Sequence, residues 1–282
     1  EAYNSLLKLG FGFIEVGTVT PLKQYGNPKP RIFRLEEDHA LINRLGFNND
    51  GSEIISKRIS KNLPRGFLGV NIGPNKETKN KENDYFVCLS KLFKHANYIT
   101  INISSPNTKD LRNFHKQEEM KKLLAGINKI KKEKKIDQPI AIKISPDIDD
   151  SEISRIIDLI KSFNIQGIII SNTTANNRKN LSDINKNEAG GLSGQPLKDI
   201  STNLIKKCYK ETKGKIKIIG VGGVDSGQSA FEKIIAGADA VQLYTGMVYK
   251  GPGIVKEIKK ELISILKKEN LKNVSEAVGI NA

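Results

Sequence analysis

Tryptophan is absent from the 282 residues, and aromatic residues of any kind make up only 6%. Bases of single-stranded nucleic acids are held on aromatic stacking platforms. The net charge of +15 (46 Lys and Arg against 31 Asp and Glu) is therefore not read as a nucleic-acid interface. The lysines fall mostly on helical stretches such as 121–135 and 256–268, where they form solvated faces rather than a patch for an anionic partner. Cysteine occurs twice, at Cys88 and Cys208, far apart and without CxxC spacing. That argues against a disulfide framework or a zinc site and fits a reducing compartment. Neither a carboxylate pair nor any of the histidines (His39, His95, His115) stands at the end of a strand-like run. Metal-assisted hydrolysis and two-carboxylate glycoside hydrolysis are thus not expected, nor is any metal. No apolar run approaches the roughly 20 residues of a membrane span, and the opening residues Glu1 to Asn4 lack the basic start and apolar stretch of a signal peptide. No GxGxxG follows a strand, so a Rossmann dinucleotide site is not supported.

What is present is an alternation. Strand-like runs lie at 13–20, 67–73, 98–104, 140–145, 167–172, 217–223 and 240–246. Amphipathic stretches lie between and after them, at 51–62, 81–95, 118–135, 151–163, 197–213, 226–236 and 253–268, with a further helical pattern at 1–10. Several runs are continuously apolar, as a parallel sheet covered on both faces requires. Strand alternating with helix implies right-handed crossovers. The expected fold is α/β, a (β/α)8 TIM barrel whose first strand lies upstream of Glu1. An open doubly wound sheet is the alternative, but it places its ligand at a single switch point, whereas here polar clusters follow nearly every strand. The segments 21–50 and 173–196 are expected as long loops. The first carries the short apolar piece Pro30 to Arg34 followed by a turn of helix. The tail at 270–282 is expected on the outside of one domain spanning 1–282.

The run Tyr98-Ile-Thr-Ile-Asn-Ile-Ser-Ser-Pro-Asn-Thr108 ends in Asn102, Ser104, Ser105, Asn107 and Thr108. A buried strand has no use for so many amides and hydroxyls unless they meet a polar ligand or one another. Asn71 and Asn172 also stand near strand ends, and Lys143 lies inside the apolar run Ile140 to Ser145. Such a lysine either snorkels to the strand end or sits beside an electron-rich ligand or developing anion. Gly190-Gly-Leu-Ser-Gly194 and Gly220-Val-Gly-Gly-Val224 precede helices, with Tyr244-Thr-Gly246 at the last strand. Glycine lets backbone amides approach an anion closely, and a helix N-terminus adds favourable potential, so this set is a candidate phosphate cradle.

Together these motifs, with Gly10-Phe-Gly-Phe-Ile-Glu-Val-Gly-Thr-Val-Thr-Pro21, Lys29-Pro-Arg-Ile-Phe-Arg34 and Asn43-Arg-Leu-Gly-Phe-Asn-Asn49, resemble class 2 dihydroorotate dehydrogenase, the quinone-dependent flavoenzyme family of pyrimidine synthesis. The resemblance covers almost the whole chain. It implies an FMN site at Thr18, Asn71, Asn102, Lys143, Ser171, Gly194, Gly223, Tyr244 and Thr245. It places the dihydroorotate or orotate ring against Asn43, Arg44, Leu45, Gly46, Phe47, Asn102, Asn107, Asn172 and Thr173. Ser105 matches the catalytic base; class 1 relatives carry cysteine there. A free serine is a poor base, and relay through Thr108 and a water is expected to carry its proton onward. The resemblance further implies an upstream segment with the first barrel strand and a substrate-binding lysine. A helical pair before it would bring a respiratory quinone and peripheral membrane contact, at the cytoplasmic face of a bacterial inner membrane or, alternatively, at the mitochondrial inner membrane.

Overall fold

Isoleucine and valine stiffen an extended backbone and pack well on a pleated surface, and they dominate the strands that build this chain. The computed structural model describes residues 2–108 and 110–282; Glu1, where the first helical pattern begins, lies outside them. After α1 (Tyr3–Lys8) and β1 (Phe13–Val19), a hairpin of β2 (Ile32–Leu35) and β3 (Ala40–Asn43) leads to α2 (Ser52–Lys61). Strand–helix units then follow: β4 (Phe67–Ile72) with α3 (Lys81–Leu92), β5 (Tyr98–Asn102) with α4 (Gln117–Lys134), and β6 (Ile140–Ile144) with α5 (Asp150–Ser162). The last part holds β7 (Gly167–Ile170), β8 (Gly191–Gly194), α6 (Lys198–Thr212), β9 (Lys217–Val221), α7 (Gly227–Ile235), β10 (Ala240–Gln242), α8 (Thr245–Lys250), α9 (Ile254–Lys268) and α10 (Val274–Ala277).

The main sheet has seven strands in the order β1-β4-β5-β6-β7-β9-β10, and every described pairing in it is parallel. The seven strand runs expected from sequence are these seven strands. The sheet curls. Gln242 on β10 donates to the Glu15 carboxylate on β1, 3.2 Å away, although the two strands stand at opposite edges of the strand order. Among the described residues β1 and β10 each pair on one side only. The helices cover the outer face, where Leu89, Leu123, Ile127, Ile157 and Ile205 join Ile99, Ile142, Ile168 and Ile218 in the largest core cluster. Capping boxes start two of these helices, Asp149 with Glu152 on α5 and Ser226 with Ser229 on α7. Each such cap is worth about 1 kcal/mol.

The segment 21–50 departs from its expected form. The residues after Arg34 form not a turn of helix but the return of a hairpin, in which β2 pairs antiparallel with β3. β8, from the other long loop, adds to β3 as the third strand. Strands of four residues are too short to show a period, and the partner of β3 lies about 150 residues downstream, so no local signal marks them. Leu35, Ala40, Ile42, Leu181 and Leu192 form a separate small core beneath this sheet. Tyr249 on α8 ties it to the helices of the main sheet by donating to the Leu35 and Ala40 carbonyls, at 3.0 and 2.8 Å. The tail packs through Ala277 against Phe231, Ile234 and Leu266 of α7 and α9.

Among the described residues one charged group lies wholly inside. Lys233 on α7 is 0% exposed, and its ammonium donates to Ser201 Oγ (2.6 Å), Thr202 Oγ1 (3.0 Å) and the Lys198 carbonyl (3.3 Å). Ser201 Oγ in turn donates to the Gly222 carbonyl, 3.2 Å away, so the lysine braces the glycine turn after β9 from behind. Burial pulls the Lys233 ammonium down from its ordinary 10.5 to about 7. A lowered folded-state value means that between these two limits the unfolded chain holds a proton that the folded chain has lost. Stability is therefore penalised below pH 7 and rises as pH climbs from 7 toward 10. The expected slope is about 1 kcal/mol per pH unit. Denaturant melts from pH 7 to 9.5 should show this rise in the wild type and its loss in Lys233→Met; equal slopes in the two proteins would refute it.

Candidate active site

In a parallel strand alternate residues face the same side. On the interior of the curled sheet this alternation presents Glu15 from β1, Asn71 from β4, Thr100 and Asn102 from β5, and Lys143 from β6. The strand register sets them side by side, with Asn71 opposite Thr100 and Asn102 opposite Lys143. The C-terminal ends of the strands point to one mouth, where a cavity of about 580 Å3 is lined by Thr18, Asn71, Asn102, Ser105, Asn107, Lys143, Asn172, Thr173 and Tyr244. A second cavity of about 450 Å3 shares Asn43, Leu45, Lys143, Asn172, Thr173 and Tyr244 with the first. It reaches on past Ser171, Gly194, Gly223 and Thr245. Both volumes fall within the range of small-molecule sites.

The amides are wired together. Asn71 Nδ2 donates to Glu15 Oε1 (2.9 Å), and Thr18 Oγ1 donates to Asn71 Oδ1 (2.8 Å) while accepting from Asn102 Nδ2 (3.0 Å). Ser104 Oγ donates to Asn102 Oδ1 (3.0 Å), and Asn172 Nδ2 donates to Ser104 Oγ (2.9 Å) and, more weakly, to Asn102 Oδ1 (3.3 Å). Asn107 Nδ2 donates to the Asn43 carbonyl (3.0 Å), which holds the loop after β5 against the end of the hairpin. A network this closed fixes its members' orientations.

Two groups keep capacity for a ligand. Lys143 has a side chain only 17% exposed, and its Nζ stands 4.0 Å from Glu15 Oε1. Its ammonium makes no hydrogen bond to a described residue, and the side chain lines both cavities. Ser105, 5% exposed, accepts from the Asn107 amide (3.2 Å). Its hydroxyl proton has no acceptor among the described residues.

Several residues that the sequence reading passed over hold this arrangement. The Glu15 carboxylate also accepts from Tyr98 Oη (2.9 Å), Thr100 Oγ1 (2.8 Å) and Gln242 Nε2 (3.2 Å). Burial, and next the Glu15 charge, push the Tyr98 phenol well above its ordinary value, so it stays a donor. Arg112 braces the loops. Its Nε donates to the Ser104 carbonyl (3.2 Å), one terminal nitrogen to the Thr173 carbonyl (3.4 Å) and the other to Asp147 (3.0 Å). Asp147 also accepts from Thr174 Oγ1 and from the Ala175 amide. The period-2 pattern Tyr98-x-Thr100-x-Asn102 was a usable signal for the interior set; Arg112 and Asp147, on irregular backbone, gave none.

Arg44 stands apart from the other expected site residues. Its guanidinium pairs with Glu188 (2.7 Å), donates to the Ala189 carbonyl (3.0 Å) and lies over the Phe33 ring. It lines an outer pocket with Arg178 and Lys186 rather than the two shared cavities. Its neighbours Asn43, Leu45, Gly46 and Phe47 do line the larger one.

The glycines around the second cavity are required by space. A side chain at Gly223, whose φ is +70°, would meet the Lys198 backbone at 2.7 Å, and one at Gly194 (φ +99°) would meet the His39 carbonyl at 2.4 Å. These contacts keep the turns before α6 and α7 tight, with Thr245 Oγ1 linked to Ser193 Oγ (2.8 Å) at the start of α8.

Comparison with known proteins agrees with this geometry. The family model described as dihydroorotate dehydrogenase matches residues 1–266. The dihydroorotate dehydrogenase (quinone) of Bartonella tribocorum is 45% identical over 281 residues, covering 98% of this chain and 78% of that protein. The protein of the same name from Chromobacterium violaceum is 46% identical over 274 residues, covering 95% of this chain and 79% of that protein. The crystal structure of DHODH from Eimeria tenella in complex with ferulenol superposes with a TM-score of 0.95 at 39% identity, over 100% of this chain and 82% of that one. On the family match and on this likeness over nearly its full length, the chain belongs to the dihydroorotate dehydrogenase family.

Proposed function

We propose that this protein oxidises (S)-dihydroorotate to orotate in pyrimidine (UMP) biosynthesis, with FMN as the bound acceptor and a respiratory quinone as the final one. The observation that carries the reading is that Ser105, Lys143 and Asn172, from three separate strand ends, line one cavity. The donor set suits the cofactor. A ring of amides and one largely buried ammonium with unused donors matches the carbonyls and nitrogens of an isoalloxazine, and tight glycine turns before helices match a phosphate. On this reading Thr18, Asn71, Asn102, Lys143 and Ser171 hold the ring and its chain. Gly194, Gly223, Tyr244 and Thr245 hold the phosphate. Asn43, Leu45, Gly46, Phe47, Asn107, Asn172 and Thr173 hold the pyrimidine acid, with Arg44 bracing that loop from outside.

When bound, the flavin supplies a two-electron acceptor for the hydride leaving one ring carbon of the substrate. Ser105 takes the proton from the adjacent carbon, so that one hydride and one proton depart and one C=C bond forms. Its own proton passes onward through water, with Thr108, buried in the same turn, as the proposed relay. The ammonium of Lys143 faces the negative charge that arrives with the hydride. The amides of Asn107 and Asn172 orient the substrate so that the two C–H bonds address Ser105 and the cofactor.

The seven-stranded sheet is, on this reading, a (β/α)8 barrel completed by one further strand between β1 and β10. Residues 1–282 then form one FMN-binding domain, with 270–282 as its tail. No helix among the described residues is long and apolar enough to cross a membrane. Access to quinone is proposed through peripheral contact, made by sequence preceding this barrel, at the cytoplasmic face of a bacterial inner membrane or, alternatively, at the mitochondrial inner membrane. Steady-state assays of the flavin-loaded protein test the acceptor. Dihydroorotate oxidation should be at least about tenfold faster, as kcat/KM, with a short-chain quinone than with fumarate or a nicotinamide. Preference for fumarate would reassign the chain to a soluble-acceptor enzyme.

A further inference from the structure

The most heavily bonded carboxylate in the interior, that of Glu15, lines the same cavity but has been given no part in holding cofactor or substrate. Glu15 has a side chain only 12% exposed and lies 4.0 Å from the Lys143 ammonium. It accepts from four donors on three strands: Asn71 Nδ2, Tyr98 Oη, Thr100 Oγ1 and Gln242 Nε2. A buried charge left uncompensated is expensive, so a carboxylate held by four donors beside one cation belongs to a designed electrostatic balance. Two of its neighbours, Asn71 and Lys143, face the cavity. Through Asn71 the network continues to Thr18 and Asn102. Glu15 thus orients one amide of the cofactor face and offsets the charge of Lys143, the one cation there without a hydrogen bond among the described residues.

We propose that Glu15 is a positioning residue that lowers the reduction potential of the bound flavin, by offsetting the Lys143 charge beneath it and fixing the orientation of Asn71. The proposal rests on the flavin reading above. Its physical content is a sign. Two electrons arriving on the flavin add negative charge, which an ammonium stabilises and a nearby carboxylate opposes. With Glu15 in place the bound flavin gives up its electrons more readily, as a cofactor that must hand them to a second acceptor requires. The other charged group in contact with this carboxylate is Lys143; its remaining partners are neutral.

The test is the midpoint potential of the flavin-loaded protein, read by absorbance against a reference dye. Glu15→Gln keeps the shape and loses the charge. It should shift the equilibrium toward reduced flavin about tenfold, which is about 30 mV for a two-electron couple. Glu15→Asp keeps the charge and should stay much closer to wild type. An unmoved potential in Glu15→Gln overturns the proposal, and so does an equal shift in both variants, which would mark a merely structural role. Should Glu15→Gln fail to retain flavin, the double variant Glu15→Gln/Lys143→Met leaves no unpaired ammonium inside. Its potential must lie above that of Lys143→Met alone, and equality of the two overturns the proposal. A wild-type protein that binds no FMN would instead sink the flavin reading and this inference with it, whereas bound flavin with an unmoved potential sinks this inference alone.

Discussion

Ser105→Ala is expected to slow dihydroorotate oxidation about 1,000-fold, within the range for loss of a positioned acid–base group, while the protein stays folded and yellow. The two halves of this expectation come from different features of the same hydroxyl. Its oxygen accepts one bond from the Asn107 amide, so its removal costs about 1 kcal/mol. Its proton has no acceptor among the described residues, so the hydroxyl is free to engage substrate. Rapid-mixing measurement of flavin bleaching by dihydroorotate isolates the step. A variant that bleaches within tenfold of wild type would place the base elsewhere. Ser105→Cys makes the assignment sharper. A thiol ionises near pH 8.5 whereas a serine hydroxyl does not ionise in the accessible range. The cysteine variant should regain part of the rate with a pH optimum shifted downward, which a bystander at this position would not show.

Lys143→Met is expected to slow flavin reduction about 100-fold, the scale on which a single preorganised charge at a developing anion acts. The substitution keeps most of the stem's volume and removes only the ammonium. The loss should appear in the bleaching rate more than in the substrate concentration at half-saturation, because the interaction strengthens only as negative charge develops. An unchanged bleaching rate would leave Lys143 as a snorkelling side chain, the alternative reading of a lysine in an apolar strand. The variant also removes the one cation near Glu15. Its stability should therefore fall, because a carboxylate with 12% of its side chain exposed loses its counter-charge.

The parts of the site that could be read in advance are those whose chemistry contradicts their local setting. Asn102, Ser104 and Ser105 at the end of an apolar strand, and Lys143 within one, are anomalies at the level of sequence. The structure brings them to one mouth. Glu15 contradicts its setting as well, flanked by Ile14 and Val16 on β1, but its face could not be judged before the curl of the sheet was known. Arg112 and Asp147 lie on irregular backbone, where a charged residue is the ordinary case and carries no warning. Arg44 shows what a motif leaves open. Its motif, Asn43-Arg-Leu-Gly-Phe47, marked a substrate loop as one unit, yet the guanidinium turns outward to Glu188 and Phe33. Adjacent residues on an extended segment point in opposite directions.

What the sequence alone decided was the succession of strand and helix, the parallel sense of the main sheet and the polar character of its C-terminal ends. Each follows from interactions within a dozen residues: apolar periodicity, caps and the stiffness of β-branched side chains. What only the tertiary structure decided was the hairpin with its remote third strand, the carboxylate beneath the amide ring, and the Arg112–Asp147 brace between two loops. The third strand, the carboxylate's bonds and the brace join segments between 35 and about 230 positions apart in the chain. Such contacts depend on how a curled sheet closes its interior, and no local run of residues encodes that distance.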